Sequence, residues 1–212
     1  MTSRYAQIAF TSQVRGHQAE HGSVRGYDRM AASGPREADR LGEDEEWFIG
    51  ERDSFYLASI SETGWPYVQH RGGPKGFLRP LDGGRALAFA DFRGNKQYIT
   101  TGNLDHDDRV ALFLIDYPRR ARLKIYGRAR TVRAEDEPQL LTAVRDAEYR
   151  AVVERVMVID VEAYDWNCSQ HLTPRFSEDE VQEAVRPLRA RLDELERENA
   201  ELRATGRGVR AP

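Results

Sequence analysis

Cysteine is almost missing from this chain. Its 212 residues include one, Cys168, which excludes an intrachain disulfide framework and fits a reducing, cytoplasmic setting. Long apolar runs are missing too: none approaches the ~20 residues a membrane-crossing helix needs. The opening stretch, MTSRYAQIAFTSQVRG, lacks the apolar centre of a secretory signal. Neither sign of charge dominates. Lys and Arg total 32, Asp and Glu total 35, and the net charge is −3, which leaves no electrostatic case for a nucleic-acid partner. Cys, His and acidic residues do not fall at the spacings of a structural zinc site. What remains is a chain long enough for one sizeable core, or one domain with appendages.

The pattern along the chain suggests the domain limits. Residues 1–40 are polar, rich in Gly, Ser and Arg, and only weakly periodic; they read as an extension with a short helix or two. DEEWFIGERD, from about residue 43, reads as a short helix whose apolar contacts come from Trp47 and Phe48. SFYLASI (54–60) and WPYVQHR (65–71), joined by a turn at Gly64, read as a hairpin. RALAFADF (85–92) is a third strand. VALFLIDY (110–117) is a fourth, apolar enough to be buried on both faces. In ARLKIYGRART (121–131), Leu123, Ile125 and Ala129 point one way and the charged residues the other. RVMVIDVEAY (155–164) is a sixth strand, with helical composition over 135–150 before it. About six strands with short helical inserts predict a mainly β fold with helices, a closed or nearly closed antiparallel barrel. A doubly wound α/β fold would need a helix after nearly every strand.

Three segments carry chemistry. VQHRGGPKGF (68–77) sets His70, Arg71 and Lys75 around Gly72, Gly73 and Pro74. Bare backbone beside cations suits an anion such as phosphate, although a Gly-Gly-Pro near an Arg is more often a plain turn. ADFRGNKQYITTGN (90–103) leaves a strand and enters a helix-like stretch, with Arg93, Asn95 and Lys96 at the junction. Free N–H groups at a helix start attract anions; solvated turn residues are the competing reading. DWNCSQHLTPRF (165–176) combines Trp166, Asn167, Gln170 and His171, a set that suits a planar heteroaromatic ligand through stacking and edge hydrogen bonds. It also reads as a polar exit from the barrel. Cys168 with His171 as a catalytic pair has only Asp165 nearby to orient the imidazole.

Taken together, FYLASISETGWPYVQHRGGPKGFL, ALAFADFRGNKQYITTGNL, RVALFLIDYPRRARLKIYGRAR and DWNCSQH, in this order and spacing over residues 41–176, resemble the pyridoxamine 5′-phosphate oxidase-like FMN-binding split-barrel family. More closely, they look like its bacterial branch of predicted flavin-nucleotide-binding proteins. The resemblance implies a six-stranded antiparallel split β-barrel and a homodimer with FMN in two symmetric interface clefts. It implies that His70 to Lys75 line the isoalloxazine ring and ribityl chain, and that Ala90 and Asp91 touch the flavin. Asn95 and Lys96 match an Arg-Lys pair that holds the FMN phosphate, with Arg93 replacing the missing Arg. Arg122 stands where the family often has a Gln near the flavin. Trp166 matches a Trp of the flavin site, and Arg175 lies close to a later Arg of that site. The Arg-x-His that holds the substrate phosphate in the oxidase is not present; QHLTPRF stands there, so pyridoxamine 5′-phosphate oxidation is not expected.

The rest of the chain is a tail. Ser177 and Glu180 form a capping box. Val185, Leu188, Leu192, Leu195, Asn199 and Leu202 then follow the a and d positions of a short coiled-coil seam. A kink or restart is expected at Pro187, and an amphipathic helix packed on its own barrel is the alternative to a coil. The expected limits are an extension (1–40), a barrel (41–176), a helix (177–205) and a flexible end (206–212). The functional expectation is an FMN-dependent oxidoreductase acting on a small molecule, without nucleic acid or membrane. Its rivals are a flavin- or haem-binding protein for storage or sensing, and an interaction module recruited through the tail, since fold does not decide chemistry.

Overall fold

The computed structural model describes residues 1–24, 27 and 34–207. The expected flexible end thus lies largely outside the described residues, as does part of the N-terminal extension. The chain divides into two compact units: Met1–Asp116 with Arg120–His171, and Tyr117–Arg119 with Leu172–Pro212.

The first unit is built on a single antiparallel sheet of seven strands in the order β2-β1-β5-β6-β7-β4-β3. The strands are β1 (Ser54–Ile60), β2 (Pro66–Gly72), β3 (Arg79–Leu81), β4 (Ala86–Phe92), β5 (Arg109–Asp116), β6 (Ala121–Arg133) and β7 (Val153–Asn167). Six were expected. The seventh is the three-residue β3, which pairs Pro80 with Leu87; it is too short to alternate, and its proline confines it to the sheet edge. β1 and β2 form the expected hairpin, from Ser54↔Gly72 to Ile60↔Pro66.

The strand buried on both faces is β4 rather than β5. Leu87 and Phe89 of β4 join the main core, while Ala86, Ala88 and Ala90 pack with Val156, Val158 and Val144. Val144 belongs to the short helix Pro138–Val144 that lies over this side. β5 instead alternates, with Val110, Leu112 and Leu114 buried and Ala111, Phe113 and Ile115 only half-buried. Among the described residues no helix packs extensively against β5, so its apolar composition does not translate into two-sided burial.

Three rings hold the barrel together. Phe55 of β1, Phe77 of the loop after β2 and Phe89 of β4 lie within 5.4–6.0 Å of one another by centroid. On the long β6–β7 ladder the register shifts between Tyr126 and Gly127. A Cβ on Gly127 would lie 2.6 Å from Ile159 Cγ2 and 2.7 Å from the Asp160 carbonyl oxygen, so the bulge requires glycine.

Helices α1 (Ser3–Ala9) and α2 (Ser12–Glu20) open the chain. Tyr5 of α1 is buried and stacks on Tyr126 of β6 at 4.8 Å. Burial, followed by the hydrogen bond with Tyr5, pushes the Tyr126 phenol up to about 12. Helix α3 (Glu43–Gly50) packs through Phe48 and Ile49, while Trp47, expected to share that role, is 54% exposed. Helix α4 (Ile99–His106) follows β4, and α5 is Pro138–Val144.

In the second unit, α6 (Glu178–Arg207) is one helix. The capping box is present: Ser177 N–H donates to Glu180 at 2.8 Å, and Glu180 N–H to Ser177 Oγ at 3.2 Å. The helix does not restart at Pro187; that residue removes one amide donor in a solvated helix, where water can satisfy the freed carbonyl.

Candidate functional site

The split of the barrel lies between β2 and β4, which share no ladder among the described residues. Side chains bridge them instead. On β2 the pleat sends Tyr67, Gln69 and Arg71 to the half-buried side and Val68 and His70 to the exposed side. Arg71 Nη1 donates to Asp91 Oδ1 of β4 at 2.8 Å. Arg155 Nε of β7 donates to the other oxygen at 3.2 Å, because Asp91 and Arg155 are register neighbours on β4 and β7. The ladder shifts between Asp91 and Phe92, and bulges of this kind re-aim side chains beside functional sites.

Residues 93–98 then cross the mouth of the split. Arg93 Nε donates to Glu154 at 2.9 Å, and Tyr98 Oη to the same carboxylate at 3.3 Å. The Arg93 hydrogen bond is the main reason the Glu154 carboxyl sits below its usual range. Arg155 stacks over the Tyr98 ring at 4.7 Å. Asn95 accepts from Gln97 N–H at 3.2 Å. Lys96 and Tyr98 both adopt left-handed backbone, φ 61° and 52°, a conformation costing a non-glycine residue about 1 kcal/mol or more. Helix α4 anchors the loop: Thr100 donates to Gln69 at 2.8 Å, and Asn103 to Ser59 at 2.9 Å. Among the described residues no side chain caps α4, and the first amides of a helix have no intrahelical partner.

The result is a cleft of about 60 Å³ lined by Gln69, Arg71, Asp91, residues 94–101, Glu154 and Arg155. A second cavity of about 130 Å³ adjoins it, bordered by His70, Arg71, Gly72, Phe77 and residues 89–92. Three cations, Arg71, Lys96 and Arg155, line the cleft against two carboxylates, Asp91 and Glu154, while Arg93, which lines neither cavity, pairs with Glu154 beside it. Arg71 Nε is buried without a partner, and Lys96 makes no ion pair or hydrogen bond among the described residues. An anionic ligand fits this donor set.

The structure thus brings the first two sequence segments together, but not all of the first. Gly73, Pro74 and Lys75 line neither cavity. A Cβ on Gly73 would meet Phe77 at 2.7 Å, and Lys75 pairs with Glu51 at 2.7 Å. The bare backbone there serves internal packing. His70 borders the second cavity and its ring meets Tyr56 edge-on at 5.7 Å.

The third segment sits elsewhere. Trp166 packs edge-on against Phe48 at 4.8 Å and donates to Glu45 at 2.6 Å. Arg122 donates to the carbonyls of Cys168 and Gln170 and faces Asn167 in the register. Arg175 lies over Tyr117 at 4.9 Å, within the second unit. Asp165 is held by Lys124 at 2.6 Å, which leaves the Cys168–His171 pair without its only nearby acid. Trp166 is 11 residues beyond Arg155 on β7, or roughly 36 Å along a strand. The sequence reading missed Arg155, Glu154, Tyr98, Gln69 and Thr100. Tyr98 and Gln69 lie inside the stretches already singled out, whereas Arg155 and Glu154 become visible only once β4 and β7 are paired.

An antiparallel barrel with a cationic cleft at its split is the architecture of a flavin-binding split barrel. The pyridoxamine 5′-phosphate oxidase family matches residues 42–168, and the chain belongs to that family. No curated protein is significantly similar to the chain. Among solved structures, HupZ of Group A Streptococcus is 14% identical, with 64% of this chain and 99% of that one covered and a TM-score of 0.46. A putative pyridoxamine 5′-phosphate oxidase from Lactobacillus delbrueckii is 20% identical (59% and 93% covered, TM-score 0.45). An FMN-binding protein from Syntrophomonas wolfei is 10% identical (74% and 98% covered, TM-score 0.45).

Proposed function

We propose that this protein binds FMN in the cleft between β2, β4 and residues 93–98, and that it is an FMN-dependent oxidoreductase acting on a small molecule in the cytosol. The observation that carries this reading is the cationic cleft itself, with a buried Arg71 Nε lacking a partner and an unpaired Lys96 on a left-handed loop. Family membership supports a flavin ligand, and the cations of the cleft support its phosphate lying there. Lys96 and the free amides at the start of α4 would hold the phosphate, with Arg93 in support. Arg71, fixed by Asp91, would orient the chain between phosphate and ring, and Ala90 and Gly72 would let the ring lie close to the backbone. Bound FMN supplies electron transfer at its ring.

Arg122, Trp166, Asn167 and Gln170 stand far along β6 and β7 from this cleft within one chain. On this reading they reach a flavin from a second copy, and the protein is a homodimer. The outer face of the sheet supports a partner. Tyr56 and Val68 are exposed there, and a groove of about 460 Å³ runs past Ile8, Ala58, Ile60, Pro66 and Ala111.

The test is the spectrum and mass of the small molecule released on denaturation, followed by anaerobic addition of NADH or NADPH. A flavin spectrum that bleaches and returns in air supports an oxidoreductase. A flavin that never bleaches points to a carrier or sensor, and haem or no chromophore overturns the assignment.

A further inference from the structure

Helix α6 presents an apolar stripe left exposed among the described residues: Leu188 is 70% exposed, Leu192 55%, Leu195 44% and Leu202 71%. With Val185, Leu192 and Asn199 at a and Leu188, Leu195 and Leu202 at d, the stripe is a heptad seam. We propose that its occupant is the same helix of a second copy, aligned parallel and in register.

The charges allow this pairing but do not fix its direction. In a parallel pair, Arg191 at g meets the partner's Glu196 at e, and Glu198 at g meets the partner's Arg203 at e. In an antiparallel pair centred between Asp193 and Glu194, Arg191 would meet the partner's Glu198 and Arg189 the partner's Glu196, which is equally attractive. Asn199 decides. Parallel alignment sets it against the partner's Asn199, where each amide can donate to the other. Antiparallel alignment sets it against the partner's Leu188 and leaves a buried amide unsatisfied, the arrangement polar a residues disfavour. Arg191 also bonds Glu194 on its own helix.

A seam this short does not hold two chains alone. The inference therefore rests on the homodimer proposed above, which would supply the proximity that makes the second contact intramolecular. The experiment uses the full chain in a Cys168→Ser background, because Cys168 is a free, exposed thiol. Mass by light scattering is measured first. Asn199→Cys is then compared under mild oxidation with Ala190→Cys, which lies at f on the outside of the seam, and with Leu188→Cys/Asn199→Cys. The expected result is a dimer in which Asn199→Cys forms an inter-chain disulfide at least about tenfold faster than Ala190→Cys. A monomer overturns both the homodimer and the seam. A dimer in which Asn199→Cys is no faster than the control overturns the seam alone, and rapid crosslinking in the double variant only would make the pairing antiparallel.

Discussion

Asp91 accepts from two guanidinium groups at once, Arg71 on β2 and Arg155 on β7, while itself almost wholly buried. Removing its carboxylate leaves two cations facing each other across the split. Their side chains keep 14% and 21% exposure, so the loss is smaller than for a fully buried pair. Asp91→Ala is expected to destabilise the fold by roughly 2–3 kcal/mol in urea denaturation; a change under about 0.5 kcal/mol would mean that the bridge does not close the split. Much of this cleft was legible in the sequence, because Arg71, Asp91, Arg93, Asn95 and Lys96 lie in two short stretches that punctuate strands. Arg155 and Glu154 were not legible, because they reach Asp91 and Arg93 only through the β4–β7 register, which no local pattern encodes. Gly73 and Lys75 drew attention for a reason the structure assigns elsewhere. Glycine marks close approach, but here the approaching group is Phe77.

At the scale of elements, strand-like apolar runs set off by turns located every strand but one. They failed for β3, which is three residues long, and they misjudged β5, since composition records how apolar a strand is and not what covers it. The bulge on β6 tests the packing. Gly127→Ala places a methyl against Ile159 and the backbone oxygen of Asp160 and is expected to cost about 1–3 kcal/mol, read as a lowered urea midpoint; unchanged stability would mean that the ladder relaxes freely there. Helix α1 is held partly by ions: Arg4 and Arg128 each donate to Glu162 of β7 at 3.1 Å. The Arg4 hydrogen bond comes first among the causes that hold the Glu162 carboxyl below its ordinary 4.5. A depressed carboxyl contributes stability above its unfolded value and loses it as pH falls through the folded one. The melting temperature of the native chain should therefore fall more than that of Glu162→Gln between about pH 6 and pH 3. Parallel profiles would remove the ion pair from the account of α1.

At the scale of the whole molecule, β7 separates the two halves of the proposed site. Arg155 stands near its start and Trp166 near its end, roughly 36 Å apart along the strand, and on the proposed reading a second copy brings the far end round to the ligand. On the proposed reading the two sets of residues reach a flavin from different chains, a division that depends on strand length and topology and that no local sequence pattern carries. Mixing Lys96→Ala with Arg122→Ala subunits tests the division. If both variants bind FMN poorly and subunits reassort at random, mixing should restore about a quarter of the native sites, because half the dimers would carry one intact site; no recovery after exchange would mean that one chain supplies both residues to a given site. The central claim is that the cleft holds the FMN phosphate, and the most direct measurement is titration of apo-protein with FMN and with riboflavin, native beside Lys96→Ala. The account predicts that FMN binds the native protein more tightly than riboflavin does, and that Lys96→Ala weakens FMN by about 1.5–3 kcal/mol while leaving riboflavin nearly unchanged. Equal losses for the two ligands, or no preference for FMN in the native protein, would contradict it.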